Sequence, residues 1–168
     1  MGMREIKIYP DPVLRETCGK VTEFGSALKS LTTDMALTMY ASSGIGLAAS
    51  QIGVLERVAV VDVSAKQHER LIIINPEIVW TQGAIPSEEG CLSIPEFREI
   101  IQRKEHIVLQ AQDEKGKDFE LQASGILAIC IQHEVDHLNG VLFIDHLSRL
   151  KRDFFKKWHR KQALEQNE

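Results

Sequence analysis

Between Gly125 and Leu138 the chain is apolar almost all the way round, through Ile126, Leu127, Ile129, Ile131 and Leu138, yet the same run carries His133-Glu134-Val135-Asp136-His137. A helix with apolar residues on every side has to be enclosed by the rest of the fold, so this segment is expected to be a central helix packed on a sheet. Residues four apart stack on one helical face. Both imidazoles can therefore ligate a single metal ion, with Glu134 a fraction of a turn away. That is a hydrolytic metal site in outline, but two histidines do not hold a catalytic metal. Three protein ligands plus an open, water-bearing position are the usual arrangement, so the third ligand decides what the site is.

The rest of the chain supplies the enclosure. Leu28, Leu31, Met35 and Met39 recur at helical spacing and predict an N-terminal helix over about 26–41, ended by Ser42-Ser43-Gly44. The β-branched runs Val58 to Val63 and Leu71 to Ile74 are too short for helices and read as buried strands, the second closed by Asn75-Pro76. Further strands are expected at Glu77 to Thr81 and Ile100 to Gln112, the latter turning through Asp113 to Gly116 into Asp118 to Gln122. Ser124 is placed to cap the central helix and Asn139-Gly140 to end it. The expected class is α+β, with mixed or antiparallel strands around the metal-binding helix and a helix at each end. With 168 residues, no repeat and no linker, residues 1–168 are expected to form one domain.

The third ligand is the open question. The extended metallopeptidase form predicts a histidine six residues after the pentapeptide, and Phe143 stands there. Peptidases that take a later glutamate would need Glu165, or His159 in its place, and both lie in a charged C-terminal stretch. The better candidate is upstream, in Glu88-Glu89-Gly90-Cys91-Leu92-Ser93-Ile94-Pro95. Three cysteines, Cys18, Cys91 and Cys130, are too few and too odd in number for a disulfide framework, so a thiol is free to ligate. Cys91 with His133 and His137 would make a Cys-His-His site with a position left for water.

Together Gly44-Ile45-Gly46-Leu47-Ala48-Ala49-Ser50-Gln51, Glu89-Gly90-Cys91-Leu92-Ser93 and His133-Glu134-Val135-Asp136-His137-Leu138 resemble the three motifs of the peptide deformylase family, in its compact bacterial form. The resemblance implies hydrolysis of the N-formyl group from the N-terminal formylmethionine of nascent polypeptides, releasing formate. It implies one divalent metal ion per chain, iron(II) by preference, with zinc, nickel or cobalt as alternatives. Glu134 would be the general acid/base, and the Gln51 side-chain amide and the Leu92 backbone N–H would face the formyl oxygen. Substrate would bind as an added strand against Ile45, Gly46 and Gly90 with Arg98 nearby, its methionine in a slot made by Ile45, Ile126, Ile129 and Cys130. Asp136 is expected to brace the site from outside the ligand set. Glu89 and Arg103 could brace the Cys91 loop, although a solvated surface pair is the commoner outcome. Ser87 and Gln102 stand where the family often has an apolar residue and a proline. The alternatives are a metallopeptidase using the same helix and a non-catalytic relative that kept the fold.

A net charge of -4 gives no global electrostatic case for DNA or an anionic membrane. No apolar run approaches a membrane span, and the N-terminus has no apolar signal core, so a soluble, cytoplasmic protein is expected. The C-terminus, about 148–168, is expected to be a basic amphipathic helix. From Arg149 to Lys161 it carries seven Lys/Arg against Asp153, with Leu150, Phe154, Phe155 and Trp158 as its apolar positions. Its simplest role is docking on the domain with a solvated basic face. The resemblance adds a contact with ribosomal RNA.

Overall fold

The computed structural model describes residues 2–168. Among these, the helices are α1 (Ser26–Ala41), α2 (Gly125–Leu138) and α3 (Arg149–Glu165). The strands are β1 (Gly46–Ala48), β2 (Val58–Val61), β3 (Leu71–Gln82), β4 (Ile85–Cys91), β5 (Ile94–Arg103), β6 (His106–Gln112) and β7 (Asp118–Ser124). Short 3-10 turns lie at Pro12–Arg15, Ala49–Ile52 and Phe143–His146. β1-β2-β3-β6-β7 form one antiparallel sheet and β4-β5 a separate hairpin. The class is α+β, as the sequence predicts.

The large sheet lies between two helices. Val58 and Val60 pack with Leu28, Leu31, Met35 and Met39 of α1. Ala59 and Val61, on the other face, pack with Ala128, Ile131, Val135 and Leu138 of α2. β2 is therefore buried on both faces, which is why it reads as an unbroken apolar run rather than an alternating one. A third cluster joins Phe97 and Ile101 of the hairpin to Leu14, Phe143, Ile144, Leu147 and Phe155. α3 docks through Phe155 and Trp158, whereas Leu150 and Phe154 are 80% and 64% exposed. Its apolar positions thus split between the docked and the open face.

Helix ends follow local chemistry. α1 closes with Ser43 in the left-handed region (φ 56) and the Gly44 amide donating to Met39 O at 2.9 Å. At the end of α2, Gly140 (φ 73) donates to His137 O at 3.1 Å and Val141 to Asp136 O at 2.9 Å. A Cβ on Gly140 would collide with the Arg15 carbonyl. Ser124 occupies the cap position of α2 but makes no side-chain cap bond, so that expectation held in place and not in mechanism.

The strand expectations needed two larger corrections. Asn75-Pro76 does not end a strand, because β3 runs through it on a bulge. Asn75, at φ 51, clamps the Val21 backbone with both amide atoms, at 2.8 and 2.9 Å, which holds the bulge in place. The run from Ile100 to Gln112 is two strands in different sheets. Gln132 of α2 takes both backbone groups of Lys104, at 3.0 and 2.9 Å, and so occupies the place of a strand neighbour at the break.

Candidate metal centre

α2 presents His133 and His137 one turn apart, with ring centroids 4.9 Å from each other. The β4–β5 hairpin brings Cys91 to the same point. Cys91 Sγ lies 3.3 Å from His137 Nε2, which lies 3.2 Å from His133 Nε2. Bonds of about 2.0–2.1 Å to nitrogen and 2.3 Å to sulfur set tetrahedral donor atoms roughly 3.3–3.6 Å apart, so the three atoms fit around one ion. Among the described residues this is the one group of three or more possible ligands. His159 instead packs edge-on to Tyr9, and Glu165 faces Lys161, so neither alternative third ligand joins the cluster.

The two imidazole rings are held unequally. His133 Nδ1 meets Glu89 Oε1 at 2.9 Å, which leaves Nε2 free to face the other two donors. Glu89 is not a surface residue. Its two oxygens take Nε and Nη2 of Arg103, both at 2.8 Å, and the side chains are only 6% and 4% exposed. Burial alone would raise the Glu89 carboxyl, but the hydrogen bonds from Arg103 and His133 outweigh it and hold the value at about 2. His137 Nδ1 is buried without a partner. Burial and the charge of His133 push its imidazole well below the ordinary range. Burial also lowers His133, yet its bonds to Cys91 and Glu89 carry it well above that range.

Glu134 lies beside the trio and is not one of it. Burial lifts its carboxyl to about 7, and Oε2 has no hydrogen-bond partner in the protein. A buried carboxylate oxygen left open next to three convergent ligands suits a metal with its water. The approach of β1 is what makes room for it, since a Cβ on Gly46 would collide with Glu134 Oε1 and crowd Cys130 Sγ. Gln51 is fixed by Ala48 N, which donates to Oε1 at 3.0 Å, so that Nε2 faces Ser93 Oγ at 3.1 Å and Cys91 Sγ at 3.6 Å.

These groups line a cleft of about 730 Å³ between β1, the β4–β5 hairpin and α2. All seven residues expected to bind substrate border it: Ile45, Gly46, Gly90, Arg98, Ile126, Ile129 and Cys130, as do Gln51, Cys91, Leu92, His133 and Glu134. Burial keeps the Cys130 thiol protonated, well above its usual value. A second depression of about 760 Å³ near Arg57 and Phe119 has no such chemistry. There Arg57 is committed to the Leu138 and Pro76 carbonyls.

Arg103, named in the sequence as a possible brace for the Cys91 loop, is buried with Glu89 and not solvated. Three roles are not visible in the sequence. Ser93 orients Gln51. Phe143, considered only as a missing ligand, stacks on His133. His146 meets Asp136, and nothing in the motifs points to it.

A sequence model of the family described as Polypeptide deformylase matches residues 3–153. A curated peptide deformylase of Thermodesulfovibrio yellowstonii is 46% identical over 159 residues, spanning 94% of this chain and 96% of the relative. The crystal structure of a peptide deformylase from Legionella pneumophila superposes with a TM-score of 0.88 at 44% identity, covering 96% of this chain and 98% of that one. A peptide deformylase from Synechococcus elongatus, solved in complex with actinonin, gives 0.85 at 39% identity, covering 89% and 82%.

Proposed function

Because the chain belongs to the peptide deformylase family, we propose that Cys91, His133 and His137 hold one divalent metal ion per chain and that Glu134 moves the proton in the reaction they serve. The reaction is hydrolysis of the N-formyl group of N-formylmethionyl nascent polypeptides to formate and a free amine. A bound ion of this kind acidifies water and polarises a carbonyl oxygen. The observation that carries the residue assignment is the unpartnered, buried Glu134 carboxylate beside three convergent ligand atoms.

Glu134 accepts a proton from the attacking water and delivers it to the departing amine nitrogen, which an amide leaving group requires. A cation beside it favours the carboxylate, the form that accepts. The Gln51 Nε2 hydrogens and the Leu92 N–H face the formyl oxygen as charge grows there. Glu89 holds His133 with Nδ1 protonated, so Nε2 keeps its lone pair for the ion. β1 is an edge strand, and the peptide adds to it through Ile45 and Gly46, with Gly90 and Arg98 on its other side. Ile45, Ile126, Ile129 and Cys130 enclose the methionine side chain.

The thiolate and two imidazoles accept iron(II), our choice for the native ion, as well as zinc, nickel or cobalt. We read residues 1–168 as one catalytic domain working in the cytoplasm, without DNA or membrane partners. Among the described residues no helix is long and apolar enough to cross a membrane. The open face of α3, with Leu150, Phe154, Lys157 and Lys161, is proposed to meet ribosomal RNA. Phe155 is fully buried, so charge reversal rather than truncation isolates that contact. Reversal at Lys157 and Lys161 is expected to reduce co-sedimentation with ribosomes and to leave hydrolysis of a free formyl peptide unchanged. Equal co-sedimentation refutes the contact.

The reaction is tested with anaerobically iron-loaded protein, a formyl-Met peptide, the same peptide unformylated, and Glu134→Ala. Formate release from the first substrate alone, lost in the variant, is expected. Cleavage of the unformylated peptide, or an active variant, overturns the mechanism.

A further inference from the structure

The 3-10 turn Phe143–His146 reaches His133 by two routes. At one end the Phe143 ring lies on the His133 imidazole. At the other, His146 Nε2 meets Asp136 Oδ2 at 2.8 Å. The same oxygen accepts from Arg103 Nη1 at 2.7 Å, Arg103 grips both oxygens of Glu89, and Glu89 meets His133 Nδ1. Side-chain exposure along this line is 38%, 23%, 4%, 6% and 12% from His146 to His133. It is an unbroken chain of charge-assisted hydrogen bonds from a surface imidazole to a buried ring.

The turn that carries His146 is itself anchored. Asp145 Oδ2 accepts from Leu142 N at 2.9 Å, and Arg152 of α3 donates to the Asp145 carbonyl at 2.8 Å. Arg15 pairs with the Asp145 carboxylate. His146 therefore projects from a fixed element onto a carboxylate that is partly exposed and is otherwise held only by Arg103 Nη1.

We propose that His146 is a positioning residue of the metal centre: by fixing Asp136 it holds Arg103 at both ends, and Arg103 in turn presents Glu89 to His133. The inference rests on the reading of His133 as a metal ligand. Without His146, Asp136 can rotate toward solvent and leave Arg103 Nη1 without its partner inside the fold. The guanidinium then has reason to follow, and the fork on Glu89 is disturbed. Partners directly behind a metal ligand are worth about 10- to 100-fold in metal affinity or activity, and His146 stands further back, so an effect of about 3- to 10-fold is expected. An ordinary half-exposed ion pair would give no effect on the metal at all.

The test uses cobalt(II)-loaded full-length protein, its visible absorption bands and the rate of cobalt loss to excess EDTA. His146→Ala is expected to lose cobalt about 3- to 10-fold faster and to shift the bands, with KM for a formyl-Met peptide within about two-fold of the parent. His146→Gln keeps a donor that can reach Asp136 and is expected to restore the parent rate. His68→Ala removes another surface imidazole beside a carboxylate, outside this chain of bonds, and is expected to behave as the parent. The proposal is overturned if His146→Ala loses cobalt at the parent rate, if His146→Gln is no better than His146→Ala, or if His68→Ala loses cobalt as fast. A parent protein that takes up no cobalt would overturn the metal-site reading itself, a separate failure.

Discussion

The Phe143 ring lies against the His133 imidazole, with centroids 6.2 Å apart and planes inclined by 25°. Phe143 stands where an extended metallopeptidase motif would place its third histidine, and here it is packing for the first one. It is 1% exposed within the cluster that also holds Phe97 and Phe155. Phe143→Ala is expected to cost about 3–5 kcal/mol of stability, read from urea unfolding of metal-free protein. A loss below about 1 kcal/mol would mean that the contact is incidental.

Gly46→Ala tests the approach of β1 to Glu134. The added methyl meets the Glu134 carboxylate and the Cys130 sulfur, so one of them must move. A displacement of this size near the reacting atoms can cost about 100-fold, and a fall of that order in kcat is expected with metal content unchanged. Parent-like turnover would show that the carboxylate has slack.

Arg103→Met leaves Glu89 buried without its main partner, and a loss of about 3–5 kcal/mol at neutral pH is expected. The Glu89 carboxyl sits below its unfolded value, at about 2 against 4.5. Its contribution is therefore complete above pH 4.5 and is lost as pH falls through about 2. Urea midpoints should separate parent and variant at pH 7 and converge toward pH 2. A separation that is constant with pH contradicts the assignment.

Glu134 has the opposite sign. In metal-free protein its carboxyl is raised to about 7 from 4.5, so the folded state keeps a proton that the unfolded chain releases. That contribution is full below pH 4.5 and disappears as pH rises through about 7, a change of about 3 kcal/mol. Glu134→Gln should flatten this part of the stability profile and leave metal-free protein more stable than the parent at pH 8. A variant that is less stable there contradicts the burial argument.

The convergence of Cys91, His133 and His137 was legible because each part carries its own local signal. Two histidines at helical spacing share a face, and a cysteine between small residues is conspicuous once a third ligand is needed. β4 was not legible. Its inward residues include Ser87 and Glu89, both buried and both polar, so apolar alternation is missing where the strand turns toward the metal site. Hydrophobic pattern cannot detect a strand whose buried face is chemistry. The break before β6 was hidden for a related reason, because the group that ends pairing at Lys104 is the side chain of Gln132, 28 residues later. α1 and α2, whose signals are apolar and periodic, ended where the sequence placed them.

The central claim is that one ion held by Cys91, His133 and His137 supports deformylation. Metal-free protein titrated anaerobically with iron(II) while formate release from a formyl-Met peptide is followed tests it most directly. Activity should rise linearly and break at one equivalent per chain, and Cys91→Ala should show no rise in the same range. Full activity before metal is added, a break at another stoichiometry, or a Cys91→Ala protein that titrates like the parent would contradict it.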